Sequence, residues 1–304
     1  MRPAVFDPTM TTVAIASGRV AAAAPATSIV NALTIDVEDY FQVSAFAPHV
    51  RHSDWDAMEC RVEQNIERIL AMLGDSGASA TFFTLGWIAE RYPHLIRRIA
   101  DAGHELASHG FKHQRATEQS RNEFKADIRL AKAIIEDIAG REVLGYRAPS
   151  FSINPSNEWA FDNIADAGYR YSSSLYPIRH DHYGVPDAPR FAHEVRPGLL
   201  EIPIATVRIS RGNWPAGGGG YFRLLPYAVS RWSLRRINLR DRKPAMFYFH
   251  PWELDPDQPR ISGPDAKTRF RHYLNLRRMA PRLVRLLRDF RWDRADRVFL
   301  SVPR

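Results

Sequence analysis

The stretch Thr34-Ile35-Asp36-Val37-Glu38-Asp39-Tyr40 decides how the rest of the chain is read. An apolar run (Ile29, Val30, Ala32, Leu33, Ile35) ends there in three carboxylates within four residues. A buried strand of a parallel sheet is a near-continuous Val/Ile/Leu run, and the chemistry of parallel α/β folds gathers at the carboxyl ends of such strands. The pattern predicts a strand that delivers acids at its tip. A second stretch, Gly103-His104-Glu105-Leu106-Ala107-Ser108-His109-Gly110-Phe111-Lys112-His113, sets His109 and His113 four residues apart. On a helical turn that spacing puts both rings on one face, close enough to grip one cation. Two imidazoles plus one carboxylate, with a coordination position left open, describe a catalytic zinc-type site. His104, at the start of the third strand, reads as structural.

Outward from these stretches, the chain alternates strand and helix. Residues 54–73 carry Val62, Ile66, Ile69, Leu70 and Leu73 at helical spacing and stop at a Gly-Asp-Ser-Gly turn. Residues 80–85 form a short β-rich segment, 88–102 a second helix, 105–108 a third strand, 121–139 a helix closed by Gly140, 143–146 a fourth strand, and 156–167 a helix before the strand that includes Ser172. This alternation argues for a parallel sheet with helical crossovers. Each candidate functional residue falls just after a strand, so the fold class is α/β, a distorted (β/α) barrel.

Residues 176–227 read as an irregular insertion, a lid or groove wall, whose glycine run at 217–220 supplies flexibility or positive φ and lacks the Gly-Lys-Ser/Thr ending of a phosphate cradle. The C-terminal extension, 260–303, holds a basic helical stretch (265–290) interrupted by Pro281 and a closing strand at 298–302. Residues 1–28 read as a disordered tail without the firm apolar core of a secretory signal. Residues 29–303 then form one domain.

The chain has 304 residues, a net charge of +8, 45% hydrophobic and 25% charged residues. These are ordinary values for a globular protein, and no apolar run of about 18 residues exists to cross a bilayer. The positive balance favours anionic partners. Nucleic acid is set aside, because no helix-turn-helix, zinc-finger or aromatic RNA-binding signature is present; peripheral contact of the 265–290 helix with an anionic membrane is retained. Cys60 is the sole cysteine, so no internal disulfide forms. The expected location is cytoplasmic, at the inner face of the membrane, with the periplasm left open.

Four stretches in order, Thr34 to Asp39, Ser108 to His113, Arg147 to Pro149, and His250 after an apolar strand, resemble the polysaccharide deacetylases that share the NodB homology domain, carbohydrate esterase family 4. The wording TIDVEDYFQV, GYRAPSFSI and FYFHPWELDPDQPR is most similar to deacetylases encoded with exosortase-linked exopolysaccharide genes. The resemblance implies a metal-dependent hydrolase that removes N-acetyl groups from an exopolysaccharide or a lipid-linked oligosaccharide precursor. It implies Asp36 as general base, Arg147 as the arginine orienting that base through a two-point contact, His250 as general acid, and the backbone N–H of Ser150 at the oxyanion. The implied metal ligands are His109, His113 and Glu38, with Asp39 as the alternative to Glu38. The metal is expected to be zinc, with cobalt, nickel, iron or manganese as alternatives.

Trp214 and Tyr221 are candidate sugar contacts. Two features depart from the family pattern: Ser172 stands where relatives carry Asp, and Asn213-Trp214 is the nearest match to the Asp-x-Trp motif that tunes the acid histidine. Competing readings are an allantoinase-like or cyclic-imide amidohydrolase and a carbohydrate-binding relative without catalysis. The sequence leaves the oligomeric state open.

Overall fold

The structure is a computed structural model and describes residues 28–300; most of the expected N-terminal tail lies outside these. Eleven strands form: β1 (Val30–Val37), β2 (Thr81–Thr84), β3 (Glu105–Ser108), β4 (Gly145–Tyr146), β5 (Tyr171–Ser172), β6 (His193–Arg196), β7 (Leu199–Glu201), β8 (Thr206–Ile209), β9 (Gly212–Pro215), β10 (Met246–Phe249) and β11 (Arg291–Asp293). The helices are α1 (Val62–Ser76), α2 (Gly86–Arg91), α3 (Pro93–Asp101), α4 (Arg121–Ala139), α5 (Trp159–Asp166), α6 (Gly219–Leu224), α7 (Tyr227–Arg236), α8 (Ala266–Tyr273), α9 (Leu276–Asp289) and α10 (Ala295–Phe299).

Nine strands make one curled sheet in the order β10-β1-β2-β3-β4-β5-β7-β6, with β11 also paired to β1. All pairings are parallel except β6 with β7. The gap between β7 and β10 is spanned by the chain itself, where the Ala205 amide donates to the carbonyl of Met246 at 3.1 Å. The result is the distorted α/β barrel expected.

Strand alternation sorts side chains into two environments. Leu33, Ile35 and Val37 of β1, Phe82, Leu106, Phe247 and Phe249 pack outward into the core shared with the helices. Ala32, Phe83, Ala107, Met246 and Tyr248 face the barrel interior. The same inward parity puts Thr34 and Asp36 of β1 inside, both buried. A run that is apolar on one parity and polar on the other is a barrel strand with a functional lumen.

Several elements differ from expectation. The 88–102 helix is two helices, because Pro93 starts a new one and the residue before a proline disfavours the α region. The 54–73 helix begins later: His52–Ala57 is a 3-10 turn and α1 starts at Val62. The 176–227 segment is not irregular. Its β7 extends the parallel sheet, β6 forms the edge, and β8 with β9 make a separate antiparallel hairpin. None of the glycines at 217–220 takes a positive φ, and two serve close approach: a Cβ on Gly217 would sit 2.3 Å from the Met246 carbonyl and one on Gly219 2.1 Å from Glu253 Oε1. Helix α9 runs through Pro281, with Met279, Leu283, Leu286 and Leu287 buried against the core, so this apolar stripe is not a membrane-facing one. The last strand is β11, and the expected 298–302 strand falls on α10 and beyond the described residues.

At the closed end of the lumen, Glu105 Oε2 accepts from Thr81 Oγ1 at 2.5 Å and from the Asp296 amide at 3.1 Å, and Oε1 accepts from the Tyr171 hydroxyl at 2.9 Å. Burial, then the Asp296 charge, hold its carboxyl well above the ordinary 4.5. A group whose folded pKa is raised gives stability that is complete below its unfolded pKa and is lost as pH rises through the folded one. Glu105→Gln should therefore gain in melting temperature relative to wild type as pH rises from 5 to 9; a difference constant with pH would show that Glu105 does not titrate with folding.

Candidate active site

The sheet pairing carries each functional residue to one rim. The His109 amide bonds the Thr84 carbonyl, the Arg147 amide the Ser108 carbonyl and the Ser173 amide the Tyr146 carbonyl, each at 2.9 Å. The strands therefore continue in register up to the residues that leave them, and His109, Arg147 and His250 emerge beside Asp36 and Glu38. Asp36 and Arg147, 2% and 0% exposed, form a buried ion pair through Asp36 Oδ1 and Arg147 Nη1. The expected two-point contact is a single-point one, because the other guanidinium donors are engaged elsewhere. Nε donates to the Ser173 carbonyl at 3.1 Å, Nη1 to Thr34 Oγ1 at 3.0 Å and Nη2 to Ser173 Oγ at 3.0 Å. The guanidinium carbon lies 4.0 Å from the Phe83 ring centroid.

Glu38, His109 and His113 are all buried, and their ligand atoms lie within 4.8 Å of one another. Glu38 Oε2 is 2.8 Å from His113 Nε2 but outside hydrogen-bond geometry, so it is a buried carboxylate oxygen with no hydrogen-bond partner. His109 Nδ1 lies 2.8 Å from the Arg147 carbonyl, which fixes a tautomer with N–H at Nδ1 and frees Nε2. Burial holds the His109 pKa down at about 4, so its imidazole is neutral. An orphaned carboxylate oxygen beside two such nitrogens fits a divalent cation. The two histidines are not on a helix; they lie on a turn that ends at His113 with φ 55°, their ring centroids 5.2 Å apart.

Asp39 does not join the group of Glu38, His109 and His113. Its Oδ2 accepts from the amides of Arg61 (2.5 Å) and Val62 (2.9 Å), and its Oδ1 from the Tyr40 amide, so it caps the start of α1. Burial lifts its carboxyl to about 6.

His250 Nε2 stands 3.5 Å from Glu38 Oε1, and its Nδ1 lies 2.8 Å from Glu253 Oε1. Glu253 Oε2 accepts from Arg223 Nε at 2.6 Å, and both of these residues are buried. Burial opposes protonation of His250, but the Glu38 and Glu253 carboxylates outweigh it and lift its pKa to about 9. Glu253 thus does the work expected of Asn213-Trp214, which sits on the β8–β9 hairpin with Asn213 bonded to Arg208 and Pro186. Sequence reasoning missed Glu253, although a glutamate three residues beyond His250, with Pro251 between, is the signature of a capping box. Arg223 carried no such signal.

The carboxylate absent at Ser172 is supplied from the neighbouring strand: Glu201 pairs in register with Ser172 and accepts from the amides of Ser174 and Leu175. Ser150, with Phe151, takes left-handed φ values of 54° and 49°; its hydroxyl donates to Ser44 Oγ, which lies 3.5 Å from His113 Nδ1. Tyr221 packs on the cluster of Phe151, Tyr176 and Tyr248 that lines this rim. Trp214 is 57% exposed on the hairpin and is not brought to the site.

Asp127 of α4 was also missed; both its oxygens accept from the Phe111 amide at 3.2 Å, anchoring the turn between the histidines.

A curled parallel α/β sheet whose rim joins a buried acid–arginine pair, a two-histidine, one-carboxylate cluster and a carboxylate-held histidine is the architecture of a barrel hydrolase. Residues 52–172 match the family model described as polysaccharide deacetylase, and residues 173–300 match a domain of unknown function, DUF3473. Residues 52–172 thus form a polysaccharide deacetylase domain. It is 28% identical over 118 residues to a peptidoglycan deacetylase of Helicobacter pylori, covering 37% of this chain and 38% of that protein. It is 31% identical over 103 residues to a peptidoglycan-N-acetylglucosamine deacetylase of Bacillus cereus, covering 34% and 46%. Each match spans less than half of the relative's own length. A Mycobacterium smegmatis protein described as a polysaccharide deacetylase shares the fold, with a TM-score of 0.56 and 21% identity over 90% of this chain and 89% of that one.

Glu38→Gln, His109→Ala and His113→Ala should each lower bound divalent metal as measured by elemental analysis. Asp39→Asn should leave metal content intact and cost about 1 kcal/mol of stability as a weakened helix cap; metal loss there would return Asp39 to the ligand set. Asp127→Ala should weaken metal affinity about 10- to 100-fold, the usual size of an outer-shell effect, checked by competition with a chromophoric chelator. An unchanged affinity would mean the turn holds its shape without that carboxylate.

Proposed function

We propose that this chain is a metal-dependent N-deacetylase that releases acetate from N-acetylated amino sugars of a polysaccharide, and that an exopolysaccharide or its lipid-linked precursor is the substrate. The observation that carries the reading is the meeting at one rim of Asp36 with Arg147, of Glu38 with His109 and His113, and of His250 with Glu253. The similarity to peptidoglycan and chitooligosaccharide deacetylases supports an N-acetyl sugar as substrate class. Zinc is the favoured metal because two imidazoles and one carboxylate suit it.

Amide hydrolysis needs water made nucleophilic, a stabilised oxyanion and a protonated leaving nitrogen. A divalent cation held by Glu38, His109 and His113 supplies Lewis-acid polarisation and a lowered pKa for water. Asp36 takes the proton from the attacking water, and Arg147 holds that carboxylate in its orientation. The Ser150 N–H donates to the developing oxyanion. His250 gives its proton to the departing nitrogen, with Glu253 holding the ring through Nδ1 so that Nε2 faces the reaction. The intact set of residues opposes a purely carbohydrate-binding role.

The test is acetate release from N-acetylated oligosaccharides by metal-stripped and metal-restored protein. Activity should return with zinc or cobalt. Asp36→Asn should lose activity about 10²–10⁴-fold or more while keeping metal. His250→Ala should lose amidase activity by about 10²–10⁴ yet retain far more hydrolysis of an activated ester, whose leaving group departs unprotonated. Chelator-insensitive activity, or equal losses by His250→Ala on amide and ester, would overturn the respective assignment.

A further inference from the structure

Away from the rim, α7 and the turn that follows it present a surface that the hydrolytic site does not use. Helix α7 begins just after α6, whose Gly219 lies against Glu253, and leads through Ile237–Asp241 to Ala245, whose amide bonds Asn31 at the start of β1. It therefore descends the barrel's flank from the catalytic end to the opposite end. Along it lies a cleft of about 530 Å³ lined by Trp232, Arg235, Arg236, Leu239, Arg240 and Arg285, among others. Trp232 on α7 is 47% exposed and Leu239 on the turn that follows is 55% exposed, both lining this cleft, with Val229 at 40% one turn before Trp232.

The charge on this surface is uncompensated. The nearby carboxylates are already engaged: Asp289 pairs with Arg231 at 3.0 Å and accepts from Tyr227, and Asp241 pairs with Arg190 at 2.9 Å. Among the described residues no carboxylate lies within 4.0 Å of Arg235, Arg236, Arg240 or Arg285. Two of these cations rest on aromatic faces, Arg236 over Trp232 at 5.5 Å and Arg285 over Tyr227 at 4.6 Å, which keeps them at the surface beside the apolar groups.

We propose that this face docks on an anionic phospholipid bilayer. Unpaired arginines match phosphodiester head groups, and an indole with leucine and valine between them matches the boundary between head groups and acyl chains, where such rings settle. A soluble anion would account for the arginines but not for the exposed Trp232, Leu239 and Val229. Because the basic end of this face lies opposite the catalytic rim, the docked protein keeps the rim open to a polymer. The inference is independent of which sugar is hydrolysed.

The experiment mixes the full chain with vesicles of phosphatidylglycerol and phosphatidylcholine or of phosphatidylcholine alone, and follows cosedimentation. Binding should require phosphatidylglycerol and fall with salt. Arg235→Ser with Arg236→Ser should weaken it roughly 10- to 30-fold, taking two surface cations at the usual strength of such contacts; Trp232→Ser with Leu239→Ser should weaken it as well. Both double variants should keep wild-type acetate release from a soluble substrate, which shows that they fold. Failure of the wild type to bind anionic vesicles, binding by both variants as tight as by the wild type, or full displacement by soluble glycerol phosphate would each overturn the proposal, whereas absence of acetate release by the wild type would bear on the deacetylase reading alone.

Discussion

The structure depends on a guanidinium placed where water cannot reach it. Arg147 is fully buried in the barrel lumen, and a buried cation is tolerated only when its charge is met and its N–H groups are bonded. Asp36 meets the charge, Thr34 and Ser173 take three of the hydrogen bonds, and the Phe83 ring covers one face. These partners come from β1, β2 and the segment after β5. The observed order β1-β2-β3-β4-β5 places all of them around one side chain, so the contacts that hold Asp36 also tie these strands together. Removing either partner alone would strand a charge in the lumen, which is costlier than losing both.

Metal site and acid then follow from the rim that this arrangement creates. Arg147 lends its carbonyl to His109, so one residue holds Asp36 through its side chain and His109 through its backbone. Glu38 stands between the two halves, 2.8 Å from His113 and 3.5 Å from His250. A cation at Glu38 would draw on the charge that now supports protonation of His250, whereas Glu253, backed by Arg223, remains beside its other nitrogen.

Much of this was legible in the sequence because it is local. The apolar run into Asp36, the pair His109 and His113, and the strand before His250 each declare themselves within about ten residues, and the parity of β1 separates Leu33, Ile35 and Val37 from Thr34 and Asp36. What was left open or misread concerns contacts between distant segments. Whether Glu38 or Asp39 turns inward depends on the amides of Arg61 and Val62, more than twenty residues away. The glycines at 217–220 looked like a flexible loop because the groups they approach, Met246 of β10 and Glu253 of the 3-10 turn after it, lie far along the chain. Pro281 looked like a helix break, but burial of Leu283, Leu286 and Leu287 outweighs one missing hydrogen bond.

The boundary between the two matched families falls at residues 172 and 173, directly after β5. Asp36, Glu38, His109, His113 and Arg147 lie before it; Arg223, His250 and Glu253 lie after it. On the mechanism proposed above, the seam divides the reaction by its two ends, with attack on the acyl carbon assigned to the first part of the chain and departure of the nitrogen to the second. On that mechanism, substitutions in the second part would alter the fit of the leaving sugar while the water-activating residues of the first part stay as they are.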